Sequence, residues 1–144
     1  MRTLDYSEIR LVKYSKLIDK AIAERRYGLS TQLAYRCLLE YNRLFMRFML
    51  PNSKWLKKNA FQLSIEVVRY FRKHPEWFTF RRSRQLIAML KTTYYLTNLS
   101  NMRYADRDLH LDLATATYAR DQSLAIARFL CGSVRENGIP LHGE

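Results

Sequence analysis

The sequence predicts an all-α protein, an antiparallel bundle of four to five helices. Three observations carry this. Apolar residues recur every three to four positions over most of the chain. Period-2 runs of β-branched residues between hairpin turns are missing. Four Gly and three Pro in 144 residues leave little material for turns. Hydrophobic residues make up 48% of the chain and aromatic residues 13%, enough to offset the conformational entropy of one domain. Short breaks between long amphipathic segments favour antiparallel packing. We therefore expect a single domain over residues 1–136. A flexible tail is expected over 137–144, where Gly138, Pro140 and Gly143 cluster.

The helices are read in order. The first spans about Asp5 to Arg26, with Ser7 as its cap and Leu11, Tyr14, Ile18 and Ile22 at helical spacing. Tyr27-Gly28 is expected to end it, glycine taking the left-handed conformation. From Ser30 or Thr31 to Leu50, the residues Leu33, Ala34, Cys37, Leu38, Tyr41, Leu44, Phe45 and Phe48 form a wide apolar stripe. Pro51 stops that helix, because a proline disfavours helical geometry in the residue before it. Ser53 is the expected cap of the third helix, whose buried side is marked by Leu56, Ala60, Leu63, Val67 and Phe71. His74-Pro75 ends it, and Trp77, Phe78 and Phe80 follow, either plugging the core or meeting a partner. The fourth helix covers about Arg81 to Asn98, with Leu86, Ile87, Leu90, Tyr94 and Thr97 on one side. A polar turn leads to the fifth, from about Asp106 or Asp108 to Arg135, through Leu109, Leu113, Ala116, Leu124, Ala127, Cys131 and Val134.

The formal net charge is +12. Such an excess opposes compaction and marks a polyanionic partner, nucleic acid or an anionic surface. Residues 53–104 hold eleven bases against only Glu66 and Glu76, whereas residues 105–144 are net acidic. At about 100° per residue, three arcs emerge. Arg36, Arg43 and Arg47 line up on the second helix with only Glu40 between them. Lys54, Lys58, Arg69, Arg72 and Lys73 are expected on one polar arc of the third. On the fourth, Arg81, Arg84, Lys91 and Tyr95 share an arc, with Arg82 beside them, and Leu86, Leu90 and Tyr94 face away. A merely solvated face interleaves acids four residues from bases; the third and fourth helices largely lack them. Arginine dominates, and its planar fork matches phosphate. These twelve residues are the candidate nucleic-acid contacts. Trp55 and Tyr95 are candidates for stacking.

Signs of catalysis are weak. Cys37 and Cys131 show no CxxC spacing and read as buried small hydrophobes, which fits a reducing compartment. His74, His110 and His142 form no HExxH. Asp106, Asp108 and Asp112 with His110 could be a metal cluster, but acids at a helix start answer the helix dipole. Phosphate loops, nucleophile elbows and paired carboxylates are absent. Neither cofactor nor metal is expected. Arg103 and His110 have a spacing similar to the Arg-x(4–6)-His pattern of helical HEPN ribonucleases, which implies RNA cleavage as a minor alternative.

The segment Tyr14–Leu99 resembles the accessory variability proteins of diversity-generating retroelements. The run YRCLLEYNRLFMRF at Tyr35–Phe48, the Arg-rich helix after it and the short aromatic connection carry the likeness. That family implies a four-helix bundle, a basic barrel-shaped pentamer, and binding to a reverse transcriptase and nucleic acid. The helical small subunits of CRISPR effector complexes are a second similar class. The expected function is thus a non-catalytic accessory subunit that binds nucleic acid, RNA before DNA, by its phosphate backbone. A larger protein partner, such as a reverse transcriptase or an effector complex, and homo-oligomers are expected with it. The alternative is a module that docks an acidic protein. With neither a signal peptide nor a membrane span, a cytoplasmic chain without membrane contact is expected.

Overall fold

The computed structural model describes residues 3–49, 57–73, 80–100 and 111–136. They form five α-helices: α1 (Thr3–Ala23), α2 (Tyr27–Met49), α3 (Ala60–Lys73), α4 (Phe80–Ser100) and α5 (Leu113–Glu136). There is no strand among the described residues. The all-α bundle that periodicity predicts is the observed fold. None of these helices is long and apolar enough to cross a membrane. The tail at 137–144 lies outside the described residues.

Three helix boundaries differ from expectation, the third being the start of α5, at Leu113 and not at Asp106 or Asp108. Gly28 does not end α1; it sits in the first turn of α2. The left-handed residue is Arg25, with φ of 59°. Around it the Arg26 N–H donates to Ala21 O at 2.8 Å and the Arg25 N–H to Ile22 O at 2.9 Å. That is the paired closure of a Schellman motif, here built without glycine. The cap of α3 is Asn59, while Ser53 lies outside the described residues. Asn59 Oδ1 accepts from the Gln62 N–H at 2.9 Å, and Gln62 Oε1 accepts from the Asn59 N–H at 3.0 Å. This is a reciprocal capping box, N-A-F-Q in sequence. Lys58 therefore precedes the helix and does not share its polar arc. The start of α5 is capped by Asp112, whose Oδ1 accepts from the Thr115 N–H at 2.8 Å.

Side-chain contacts give the helix directions. The Ala60 N–H, which has no partner inside its own helix, donates to the Tyr35 hydroxyl at 3.2 Å. One end of α3 thus meets the middle of α2. At the other end, Phe71 stacks on Phe45 with centroids 5.4 Å apart, and Tyr70 meets Phe45 edge-on at 5.8 Å. Both helices advance together, so α2 and α3 run parallel. The pairs α1/α2, α3/α4 and α4/α5 are antiparallel: Arg10 meets Glu40, Phe61 meets Tyr94, and Tyr95 meets Tyr118. Helix α2 touches all four others. Its exposed ridge lies between α1 on one side and α3 on the other, with α5 and α4 packed beneath. The core joins Ile18, Leu38, Phe45, Leu63, Phe71, Leu86, Leu124 and Leu130. Burying each such side chain contributes about 1.5–3 kcal/mol.

The buried side of α4 departs from expectation in part: Leu86 and Thr97 are buried and Leu90 packs against the core as expected, but Ile87 and Tyr94 do not. Its buried residues are Leu86, Met89, Thr93, Leu96, Thr97, Leu99 and Ser100, while Ile87 and Tyr94 are 43% and 53% exposed. The seam Leu86-Met89-Thr93-Leu96-Ser100 repeats at three and four residues. Its hydroxyls reach the core because they are satisfied within the helix. Thr93 donates to Met89 O at 2.7 Å, Thr97 to Thr93 O at 2.8 Å, and Ser100 to Thr97 O at 2.8 Å. On α5, Leu113 is exposed, whereas Ala116, Leu124, Ala127 and Cys131 are buried as expected.

Candidate functional site

The Arg arc of α2 forms as the sequence predicts. Arg36, Arg43 and Arg47 line one concave groove with Leu39, Glu40, Leu44 and Tyr14 of α1. The groove encloses about 460 Å³. Two turns on the opposite side of α2 hold Cys37, Leu38, Tyr41 and Phe45 in the core. That burial fixes the helix rotation and so sets Arg36 and Arg47 on the exposed side, with Arg43 half-buried between them. Arg47 lies eleven positions after Arg36, a span of about 16 Å along the axis.

Glu40, which interrupts the arc, is held by α1. Arg10 Nε lies 2.6 Å from Glu40 Oε1, and the Arg10 guanidinium sits 5.7 Å from the Tyr14 ring centroid. Burial and the hydrogen bond to Glu40 together push the Tyr14 hydroxyl up to about 12, so it stays protonated. The groove therefore gathers four arginines around one carboxylate. Sequence reading missed Arg10 and Tyr14. Their signal was the pairing across helices, which no single-helix arc contains. Lys13, Lys16 and Lys20 extend the exposed basic surface along α1.

Beyond α2, the α3 residues Arg69, Arg72 and Lys73 are all exposed. Arg69 Nη1 is 2.9 Å from Glu66 Oε1, so the acid of this helix is engaged by its own neighbour. Because α2 and α3 run parallel, the last turns of both lie at one end of the bundle. Arg47 and Arg72-Lys73 occupy those turns. Cations there also complement the negative end of the helix dipole, a structural cause that needs no ligand. The antiparallel α4 brings its first turn to the same end, and that turn holds Arg81 and Arg82 and no acid. Positive charge at the positive end of a helix opposes folding.

Arg84 and Lys91 are exposed on the ridge of α4. That ridge belongs to the layer beneath, so these two face away from the α2 groove. The twelve candidates thus divide. Arg36, Arg43, Arg47, Arg69 and Lys73 belong to the α1–α2–α3 side, with Arg72 at the α3 edge. Arg84 and Lys91 lie on the other side. Lys58 precedes α3 and is half-buried. Lys54 and Trp55 lie outside the described residues, as do the side chains of Arg81 and Arg82.

Asp112 is a helix cap, and its two hydrogen bonds from Thr115 hold it below the usual carboxylate range. Asp121 is engaged by Arg120 Nη1 at 2.8 Å, and Arg120 also binds Asp19. Cys37 and Cys131 are buried free thiols. Burial pushes Cys37 up to about 12 and Cys131 to about 11, which removes them as nucleophiles at neutral pH. No group of three or more metal-ligating side chains converges among the described residues. Arg103, Asp106, Asp108, His110, His74, His142 and the aromatic connection Trp77-Phe78 lie outside them. No protein-family model matches the chain, and neither a curated protein nor a solved structure is found to be similar to it.

Proposed function

We propose that this protein is a non-catalytic nucleic-acid-binding subunit that grips the phosphate backbone with the outer face of α1, α2 and α3. The observation that carries the reading is the groove of Arg36, Arg43 and Arg47, whose one carboxylate is already held by Arg10. Arginine forks in a concave, partly desolvated setting suit phosphate oxygens better than a flat lysine surface does. Phosphate contacts position a protein without reading bases, so binding follows shape more than sequence. RNA is the favoured ligand. The chain would then act within a larger assembly, as an accessory subunit of a ribonucleoprotein or reverse-transcriptase complex, and in more than one copy.

Titration of structured RNA at two or more salt concentrations tests this. Six phosphate contacts give a log–log slope of about −5. Replacing Arg36 and Arg47 with Gln should shrink that slope by about two and weaken binding at every sequence tried. Affinity independent of salt would refute the reading. So would polyglutamate competing as well as RNA at equal charge, since that outcome describes a module for acidic proteins.

A further inference from the structure

The helix rotation of α4 leaves an unusual surface. Its outward side carries Arg84, Ile87, Lys91, Tyr94 and Tyr95, and no Asp or Glu occurs anywhere in Phe80–Ser100. Tyr94 and Tyr95 are 53% and 45% exposed, and Tyr118 of α5 is 43% exposed beside them. Both α4 tyrosines are held from the side. Tyr94 meets Phe61 edge-on at 4.9 Å, and Tyr95 meets Tyr118 edge-on at 5.8 Å. Edge-to-face partners fix a ring without covering its whole surface. The nearest acid on α5, Asp121, is already engaged by Arg120 at 2.8 Å. Apolar residues at these positions add nothing to the core, which the opposite seam of α4 supplies.

Resting on the nucleic-acid reading above, we propose that this face is a stacking platform for single-stranded nucleic acid. Bases stack on Tyr94, Tyr95 and Tyr118, and Arg84 and Lys91 take the phosphates. The charge pattern selects this occupant. A second copy seated face to face would set Arg84 and Lys91 against their own equivalents, a repulsive arrangement. A strand that carries both flat apolar bases and negative charge matches rings interleaved with cations. Arg84 to Tyr95 spans about 16 Å, room for a few nucleotides. The groove on α2 grips backbone alone, so the two faces differ in whether bases matter.

The test compares a 12-nucleotide RNA with an abasic strand of equal phosphate number, by fluorescence anisotropy at matched salt. The base-bearing strand should bind about tenfold tighter, the effect of one or two stacked bases. Tyr94→Ala, Tyr95→Ala and Tyr118→Ala together should abolish that preference while the phosphate-dependent salt slope persists. Tyr95→Phe with Tyr118→Phe should retain it, which separates stacking from hydroxyl contacts. Thermal melts of the variants check that the fold survives. Equal affinity of the parent chain for both strands would overturn the platform while leaving backbone binding intact. Binding of neither strand would overturn both proposals. A lower molecular mass of the Ala variant in light scattering, with the preference unchanged, would assign the face to self-association and also overturn it.

Discussion

Arg25 closes α1 in the left-handed region, where a Cβ costs about 1–2 kcal/mol. Arg25→Gly should therefore stabilise the protein by about 1 kcal/mol, seen as a higher midpoint in urea with unchanged slope. Gly132 gives the opposite case. It lies within α5, and a Cβ built there meets nothing within 4 Å. Gly132→Ala should add about 0.8–1 kcal/mol through helix propensity, by the same measurement. Titrating groups supply a third expectation. Tyr14 is pushed up to about 12 from 10.0 by burial and by its hydrogen bond to Glu40, and Cys37 to about 12 from 9.0 chiefly by burial. The folded state holds both protons more tightly than the unfolded chain does. Their contribution is complete below pH 9 and is lost as pH rises through about 12. Thermal midpoints measured from pH 8 to 12 should be flat and then fall; a rise in that window would contradict the burial of both groups.

At the scale of elements, the informative comparison is between α2 and α4. In α2 only one arc is apolar, so the sequence fixes its rotation and the outward side of Arg36, Arg43 and Arg47 is legible. In α4 two stripes compete. Ile87, Leu90, Tyr94 and Thr97 repeat at three and four residues, and so do Leu86, Met89, Thr93, Leu96 and Ser100. The second is buried together with Thr97, and its hydroxyls enter the core because each is hydrogen-bonded within the helix. A scale that ranks Tyr above Thr cannot see those internal bonds. The start of α3 was legible in principle, since N-A-F-Q is a four-residue capping-box pattern. Ser53 is an equally good N-cap residue by type, so composition alone does not choose between the two. Asn59→Ala tests the assignment. It should cost about 1 kcal/mol, the usual worth of an N-cap. Equal loss from Ser53→Ala, measured alongside it, would move the boundary back.

Helix direction decides what the whole molecule presents. Short connections suggest antiparallel neighbours, and for α1/α2 and α3/α4 that rule holds. Ten residues separate Met49 from Ala60, enough chain for α3 to start again beside Tyr35 and run alongside α2. The consequence is an end of the bundle where Arg47, Arg72, Lys73, Arg81 and Arg82 are all brought by their helices. Composition announced the charge, but only topology collects it. In α2 and α3 the helix dipole rewards these cations; in the first turn of α4 it penalises them. That asymmetry separates a structural role from a binding role. Arg82→Glu places an acid where the dipole favours one and relieves like-charge repulsion, so it should raise stability by about 0.5 kcal/mol. On the proposed function the same change takes a cation from the phosphate-binding surface, so RNA affinity should fall and the salt slope should shrink by about one. Lys73→Glu, at the end of α3, should weaken binding similarly but lower stability. Measured together by thermal melting and salt-dependent titration, opposite signs in stability with the same sign in binding identify residues kept for a polyanion. If Arg82→Glu were to destabilise the chain, the arginines of α4 would be structural, and the positive end of the bundle would need no ligand to explain it.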